Sequence, residues 1–151
     1  MAYSAVSVAN SIIKLAKEKG INDLTPMKIQ KLMYFAQFIY LKSHQEIFID
    51  DNFVRWQYGP VIPSLYYQLR SYQSQPINDY IQQLIRNDEV IIYKIPQEDY
   101  KSWNFLDSIL NEFGKSDAFY LSKLTHSEKS AWERGEINTV ITREDMEKSS
   151  L

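Results

Sequence analysis

The stretch from Thr25 to about Leu41 constrains the fold most, because as a helix it is apolar on almost every face. Thr25 can accept a hydrogen bond from a free amide as the N-cap, and Pro26 suits the first helical position, where no N–H is needed. The apolar positions at helical spacing are Ile29, Leu32, Met33, Ala36, Ile39 and Tyr40, and those that fill the remaining circumference are Tyr34, Phe35, Phe38 and Leu41. A helix of this kind is usually central, so the sequence predicts other elements packed around it.

Further amphipathic segments predict the surrounding helices. Gly20 can supply the left-handed residue that ends the first of them. Thr125 and Glu128 fit a capping box, in which the threonine and the glutamate satisfy each other's backbone amides. The predicted outer helices span residues 4–19, 63–72, 78–86, 100–113, a short run after 116, 125–132 and a last run after 142.

Two segments have the residue types of β-strands. Residues 53–57 favour a strand that ends at the Tyr58-Gly59-Pro60 turn, and residues 89–95 are rich in β-branched side chains. We expect these two strands to pair as a small sheet beside the helices. The predicted fold class is therefore mainly α: a compact helical domain with a small β element of two or three short strands. With no linker, repeat or low-complexity tract, we expect a single domain over residues 1–151.

Composition excludes several classes of protein. The absence of cysteine excludes disulfides and sulfur-ligated zinc, and it suits a reducing, cytoplasmic setting. The sequence has no export signal and no apolar run that could cross a membrane. A net charge of −2 disfavours nucleic-acid binding, since such proteins usually carry a basic surplus. Aromatic residues make up 14% of the chain, and we expect several tyrosines to surface as a patch for a protein partner.

No constellation for catalysis or cofactor binding is present. Four glycines cannot form a Rossmann fingerprint or a P-loop, and no Gly-x-Ser-x-Gly elbow occurs. His44 and His126 lie far apart, and the carboxylates of Glu46, Asp50 and Asp51 lack the spacing and glycine of an EF-hand. We therefore expect no enzyme, no cofactor and no metal. An uncharacterised hydrolase stays the remote alternative, with His126 as its only nominee.

Three motifs, in a fixed order, resemble those of the Panacea domain of SocA-like antitoxins and GepA-like phage-associated proteins. Residues 24–37 resemble its Leu-x-x-x-Lys-Leu-Gln-Lys-Leu-Leu-Tyr-Tyr-Ala-Gln helix. Residues 56–66 resemble its Trp-x-x-Gly-Pro-Val-x-Pro-x-x-Tyr signature, and residues 121–132 resemble Leu-Ser-x-x-Thr-His followed by a Trp. Met33, Phe35 and Ala131 depart from the commoner residues. Residues 78–100 match least, so specificity could reside there.

The resemblance implies an antitoxin that neutralises a protein toxin, commonly encoded beside it, by direct contact. In one branch of the family the antitoxin resembles an adaptor that delivers its toxin to an AAA+ protease. The alternative is an interaction or regulatory protein of a phage or another mobile element, including DNA-associated repression of its own operon. That role usually needs a helix-turn-helix domain, which this sequence lacks.

The same motifs supply candidate site residues. Two interpretations of Gln30, Lys31 and Tyr34 remain open: a polar edge on a buried helix, or a strip that faces the partner. Tyr58 and Tyr66 are the best candidates for exposed contact. The residues expected to act structurally are Thr25, Trp56, Gly59, Pro60, Pro63, Thr125, His126, Glu128 and Trp132. For His126 we expect a capping and hydrogen-bonding role, with Trp132 as its packing neighbour.

Overall fold

The structure, a computed structural model, describes residues 2–150, and helices make up most of its regular elements. The α-helices are α1 (Ala5–Glu18), α2 (Pro26–His44), α3 (Pro63–Leu69), α4 (Tyr100–Phe113), α5 (Ala118–Thr125) and α6 (Arg143–Glu147). Short 3-10 helices cover Arg70–Tyr72 and Trp132–Arg134. The strands are β1 (Phe53–Trp56), β2 (Gly59–Val61), β3 (Gln83–Leu84), β4 (Val90–Ile91) and β5 (Val140–Ile141). The predicted class, mainly α with a small β element, is confirmed, although the described strands outnumber the two or three expected.

Helix α2 is the centre of the fold, as its apolar circumference predicts. The amide of Lys28 donates a hydrogen bond to the Thr25 hydroxyl at 3.2 Å, so Thr25 is the N-cap. The helix ends at Gln45, which adopts the left-handed conformation at φ 56°. Helices α1, α4, α5 and α6 and strand β2 all contact α2. Its neighbours therefore bury residues 28–38 of the helix, and Ile29, Leu32 and Phe35 have no solvent-accessible surface.

Strand β1 is the middle of a three-stranded antiparallel sheet. It pairs with β2, where Val54 lies opposite Val61, and with β5, where Phe53 lies opposite Ile141. The predicted pairing of residues 53–57 with residues 89–95 is therefore wrong. The actual partners are β2, which follows the turn at Gln57 and Tyr58, and β5 near the C-terminus. The pairing with β5 is long-range, and no local pattern indicates it.

Strands β3 and β4 form a separate hairpin, and the helix predicted over residues 78–86 is wrong. Gln83 lies opposite Ile91 and Leu84 opposite Val90. Asn87 and Asp88 both adopt positive φ, at 53° and 60°, in the turn that the Glu89 amide closes by donating to the Arg86 carbonyl at 2.9 Å. Because Asn and Asp tolerate this conformation better than other non-glycine residues, the turn holds the chain in a hairpin rather than a helix.

The capping box predicted at Thr125 and Glu128 is also wrong. Thr125 is the last residue of α5, and its hydroxyl donates to the Ser122 carbonyl at 2.6 Å instead of capping a new helix. Glu128 falls in the turn that follows. The segment predicted as a helix through Trp132 is mostly turn after Thr125, and a short 3-10 helix begins only at Trp132. A reciprocal capping box does form later, between Thr142 and Asp145 at the start of α6.

The remaining helix boundaries differ from prediction by small amounts. Ser4 caps α1 instead of belonging to it, and its hydroxyl accepts from the Ser7 amide at 3.2 Å. The helix predicted over residues 63–72 is α3 followed by the 3-10 helix at Arg70–Tyr72. None of the helices within residues 2–150 is long and apolar enough to span a membrane.

Candidate functional site

A largely apolar cavity of about 500 Å³ opens between the N-terminal part of α2, the β1–β2 turn and α3. Its size falls in the range of ligand and side-chain binding pockets, roughly 300–1,000 Å³. Four of the five predicted partner residues border it: Gln30, Lys31, Tyr58 and Tyr66. The other lining residues are Pro26, Met27, Trp56, Gln57, Val61, Leu69, Gln73, Ile137 and Asn138.

Gln30 fixes one wall of the cavity. Its side-chain amide nitrogen donates to the Ile62 carbonyl at 3.0 Å, and its side-chain oxygen accepts from the Ile62 amide at 2.9 Å. Both polar ends of a buried side chain are thereby satisfied by one residue of the neighbouring backbone. Ile62 precedes Pro63, the first residue of α3, so this contact sets how α3 leaves the sheet.

Lys31 lies beside Gln30 and is 1% exposed. Its ammonium nitrogen donates to the Pro60 carbonyl at 3.1 Å, and no carboxylate of the described residues forms a salt bridge with it. Burial penalises the charged form and lowers the pKa of Lys31 to about 7. A lysine without an acidic partner is therefore held at the wall of an apolar cavity.

Glycine is the only residue type that fits position 59, where β2 begins directly after the turn at Gln57 and Tyr58. Its φ of +113° is strained for any residue with a side chain. A Cβ at this position would lie 2.6 Å from the Thr125 hydroxyl oxygen and 2.9 Å from the Lys31 Cε. The glycine thus lets β2 pass between Lys31 and α5, which is the structural role that the sequence predicts for it.

Aromatic side chains form the mouth of the cavity. Tyr58 is 58% exposed and Tyr66 is 40% exposed, so both are open to a partner. The Tyr66 ring packs edge-on against Trp56, with centroids 4.9 Å apart. Exposed tyrosines held in place by a neighbouring ring are typical anchors at protein interfaces.

His126 and Trp132 form hydrogen bonds with the backbone at the β1–β2 turn. The imidazole Nδ1 lies 2.7 Å from the Ser122 carbonyl oxygen, and Nε2 lies 2.9 Å from that of Gln57. The Trp132 ring is 4.0 Å from the imidazole, centroid to centroid, and its Nε1 donates to the Trp56 carbonyl at 2.9 Å. His126 thus joins α5 to the β1–β2 turn as a hydrogen-bonding residue, but it follows α5 and does not begin a helix.

Tyr34 does not belong to the cavity. It lies in the core, where its ring meets Phe53 edge-on at 5.2 Å, and its hydroxyl has no hydrogen-bond partner among the described residues. Burial raises the pKa of its hydroxyl. Together with the burial of Gln30 and Lys31, this placement means that these three residues form no exposed strip on α2. The cavity is the route by which Gln30 and Lys31 can take part in binding, and that role stays a prediction.

A second feature is the outer surface of the β3–β4 hairpin. Leu84 is 69% exposed, Val90 54% and Ile92 38%. Ile85 and Tyr93 are also exposed. The low similarity of residues 78–100 to the family motifs indicates that specificity could reside there, and this stays a prediction. No local pattern indicates the apolar surface, because its members are brought together only by the hairpin.

Arg55 is a structural residue that no local sequence pattern indicates. It is buried, and its guanidinium donates to the carbonyls of Ala131, Trp132 and Val140. It also forms a salt bridge with Asp145 at 2.8 Å. These contacts fasten the C-terminal segment to β1 and so place Ile137 and Asn138 at the edge of the cavity.

One family model matches the chain over residues 29–133, described as antitoxin SocA-like, Panacea domain. No curated protein and no solved structure matches the chain. The matched range holds the Gln30 and Lys31 wall, the Gly59 turn and the His126–Trp132 support, and it covers more than half of the sequence. The chain therefore belongs to the SocA-like antitoxin family with a Panacea domain.

Proposed function

We propose that this protein is an antitoxin that neutralises a protein toxin by direct, non-catalytic binding, and that the toxin inserts an apolar or aromatic side chain into the cavity. The observation that carries the proposal is the convergence of Gln30, Lys31, Tyr58 and Tyr66 on that cavity. Family membership supports an antitoxin role, and a protein partner is what such a role requires.

The chemistry of the cavity supports an apolar anchor. Its accessible lining is mostly apolar, and the polar groups of Gln30 are already occupied by the Ile62 backbone. Binding energy at protein interfaces concentrates where an aromatic or aliphatic side chain fills a desolvated pocket. The exposed rings of Tyr58 and Tyr66 then close over the inserted side chain and exclude water from it.

The test is co-expression of this protein with the product of the neighbouring gene, with growth and co-purification scored together. Growth rescue with a stable complex is the expected result, and it means that the antitoxin acts by occlusion. Growth rescue with loss of the toxin supports the variant of the proposal in which the antitoxin delivers its toxin to an AAA+ protease. A host strain without that protease separates the two, because removing the protease restores the toxin level only if delivery is the mechanism and leaves it unchanged if the toxin is occluded.

The proposal would be contradicted if the product of the neighbouring gene is toxic and this protein neither restores growth nor binds that product. A harmless neighbour without a complex would also contradict it, and would favour the alternative, an interaction or regulatory protein of a phage or mobile element. Autoregulation through DNA predicts binding to the protein's own promoter that persists at physiological salt. The net charge of −2 gives little electrostatic support for such binding.

A further inference from the structure

Three cationic side chains of the described residues are buried, and Lys31 is the one that lacks a carboxylate. Lys28, one turn earlier on α2, lies 2.6 Å from Asp23, and Arg55 lies 2.8 Å from Asp145. A buried amine without an anionic partner either gives up its proton or takes an anion from outside the chain. The position of Lys31 at a cavity makes the second course open to it.

The ammonium group of Lys31 has unused capacity for hydrogen bonds. Within the part of the chain that the structure describes, its nitrogen makes one hydrogen bond, to the Pro60 carbonyl at 3.1 Å. A lysine ammonium group carries three hydrogens, all of them donors. Two donors therefore remain for an acceptor that enters the cavity.

The cavity offers no competing negative charge. Among the described residues that line it there is no aspartate or glutamate, and Lys31 is its one cation. The titratable side chains on the elements around Lys31 are Tyr58, Tyr66 of α3 and, just after α5, His126, whose ring nitrogens already lie within hydrogen-bonding distance of backbone carbonyls. Burial alone, with no contribution from a neighbouring charge, lowers the pKa of Lys31. The cavity is thus complementary to a group with one negative charge and an apolar body.

We propose that the segment which the toxin inserts carries a carboxylate beside its apolar anchor, and that this carboxylate forms a salt bridge with the Lys31 ammonium group. The inference rests on the proposed function, since the toxin supplies the occupant. A carboxylate fits the site because one ammonium group balances its single charge. A phosphate carries nearly two charges, and the lining has no second cation for it.

A small aromatic acid tests the chemistry of the site without any toxin. Phenylacetate joins a ring to a carboxylate, and phenylacetamide has a similar shape without the charge. In an NMR titration of the full chain, wild type should bind the acid about tenfold more tightly than the amide. Lys31→Met should bind the two alike. Lys28→Met is the matched control and should keep the preference for the acid, because Lys28 is equally buried on the same helix but does not line the cavity.

Calorimetry with the toxin tests the salt bridge through its proton balance. The pKa of Lys31 in the free protein is about 7, and a carboxylate beside the amine favours the ammonium form. Above that pH the complex should therefore take up a proton from solvent, approaching one per toxin bound at about pH 8.5. Measurements in buffers of different ionisation enthalpy give this number. The uptake should persist in Lys28→Met and vanish in Lys31→Met.

The affinity of the toxin locates the carboxylate within the toxin. At about pH 6.5, Lys31→Met should weaken binding roughly thirtyfold or more, because the carboxylate loses its partner in a desolvated site. Adding residues to the toxin's C-terminus tests a terminal carboxylate, and replacing its Asp and Glu residues by Asn and Gln tests a side chain. One of these changes should weaken binding to the wild type by a similar factor and have little further effect on Lys31→Met. Circular dichroism checks that each variant folds.

Equal binding of phenylacetate and phenylacetamide, or binding of neither, would overturn the proposal. So would a toxin that binds wild type and Lys31→Met with the same affinity and the same proton uptake, although the proposed antitoxin function would then stand. A wild type that binds phenylacetate through Lys31 but binds no toxin would refute the proposed function, and with it the toxin as the source of the carboxylate. The two failures are therefore distinguishable.

Discussion

Lys31 is a residue whose ionisation is set by where the fold places it. Its amine is buried beside the cavity with one carbonyl as partner, and its pKa is lowered to about 7 from an ordinary value of 10.5. Between those two pH values the unfolded chain binds more protons at this residue than the folded chain does. The contribution of Lys31 to the free energy of unfolding must therefore rise with pH from about 7 upward.

The substitution Lys31→Met tests this linkage, because methionine has a similar length and does not titrate. The unfolding free energy of the wild type minus that of the variant should increase from pH 7 to pH 9, by at most about 1.4 kcal/mol per pH unit. Urea unfolding at a series of pH values measures it. Other titrating groups are common to both proteins and cancel, so a difference that is flat over this range would show that the amine is not buried as described.

Arg55 offers a second prediction at this scale. Arg55→Ala removes the closer cationic partner of Asp145 and the side-chain donors to the carbonyls of Ala131 and Trp132. Loss of one member of a buried ion pair costs about 3–5 kcal/mol of unfolding free energy. The matched control is Arg134→Ala, because Arg134 is exposed and lies 3.6 Å from the same carboxylate. Equal effects of the two substitutions in urea unfolding would contradict the account.

Among the elements, the β3–β4 hairpin depends most on a single residue elsewhere. Asn10→Ala removes both donors and the acceptor that join Ile81 and Tyr93 to α1. Hydrogen exchange should then accelerate at the amides of Ile81 and the hairpin while the amides of α2 keep their protection. Asn111→Ala is the control, since Asn111 is exposed and makes only side-chain contacts. Unchanged exchange in the hairpin would mean that Asn10 does not anchor it.

Elements differ in how far the sequence predicts them, and the reason is the range of the interactions that form them. Helix α2 follows from local signals, since Thr25, Pro26 and the apolar spacing all lie within it. The hairpin was missed because its turn at Asn87 and Asp88 uses positive φ without a glycine. The false capping box at Thr125 satisfies a local pattern, but packing extends α5 through that residue.

The candidate site shows the same division. Tyr58 and Tyr66 were predicted as partner residues from the motif that surrounds Gly59, and both border the cavity. Ile137 and Asn138 were missed because they reach the cavity only through the pairing of β1 with β5 and the contacts of Arg55. The motif predicts Gln30 and Lys31 as candidate partner residues but does not predict how deeply they are buried. On a helix that is apolar on almost every face, periodicity does not show which side borders a cavity.

At the scale of the whole molecule, α3 separates the cavity from the β3–β4 hairpin. Tyr66 and Leu69 of α3 line the cavity, whereas Ser64 and Gln68 lie on the side that Gln83 and Tyr93 of the hairpin segment border. The cavity between α2, the β1–β2 turn and α3 is proposed to hold the toxin.

The affinity of the toxin for cavity variants tests the central claim most directly. Tyr58→Ala and Tyr66→Ala should each weaken binding, measured by calorimetry, by about 2 kcal/mol, which is roughly 30-fold, because each removes a ring that encloses the inserted side chain. The control is Tyr100→Ala, which removes an exposed tyrosine outside the cavity and should bind like the wild type. If the toxin binds both mouth variants with wild-type affinity, it does not enter the cavity, and the proposed mode of neutralisation is wrong.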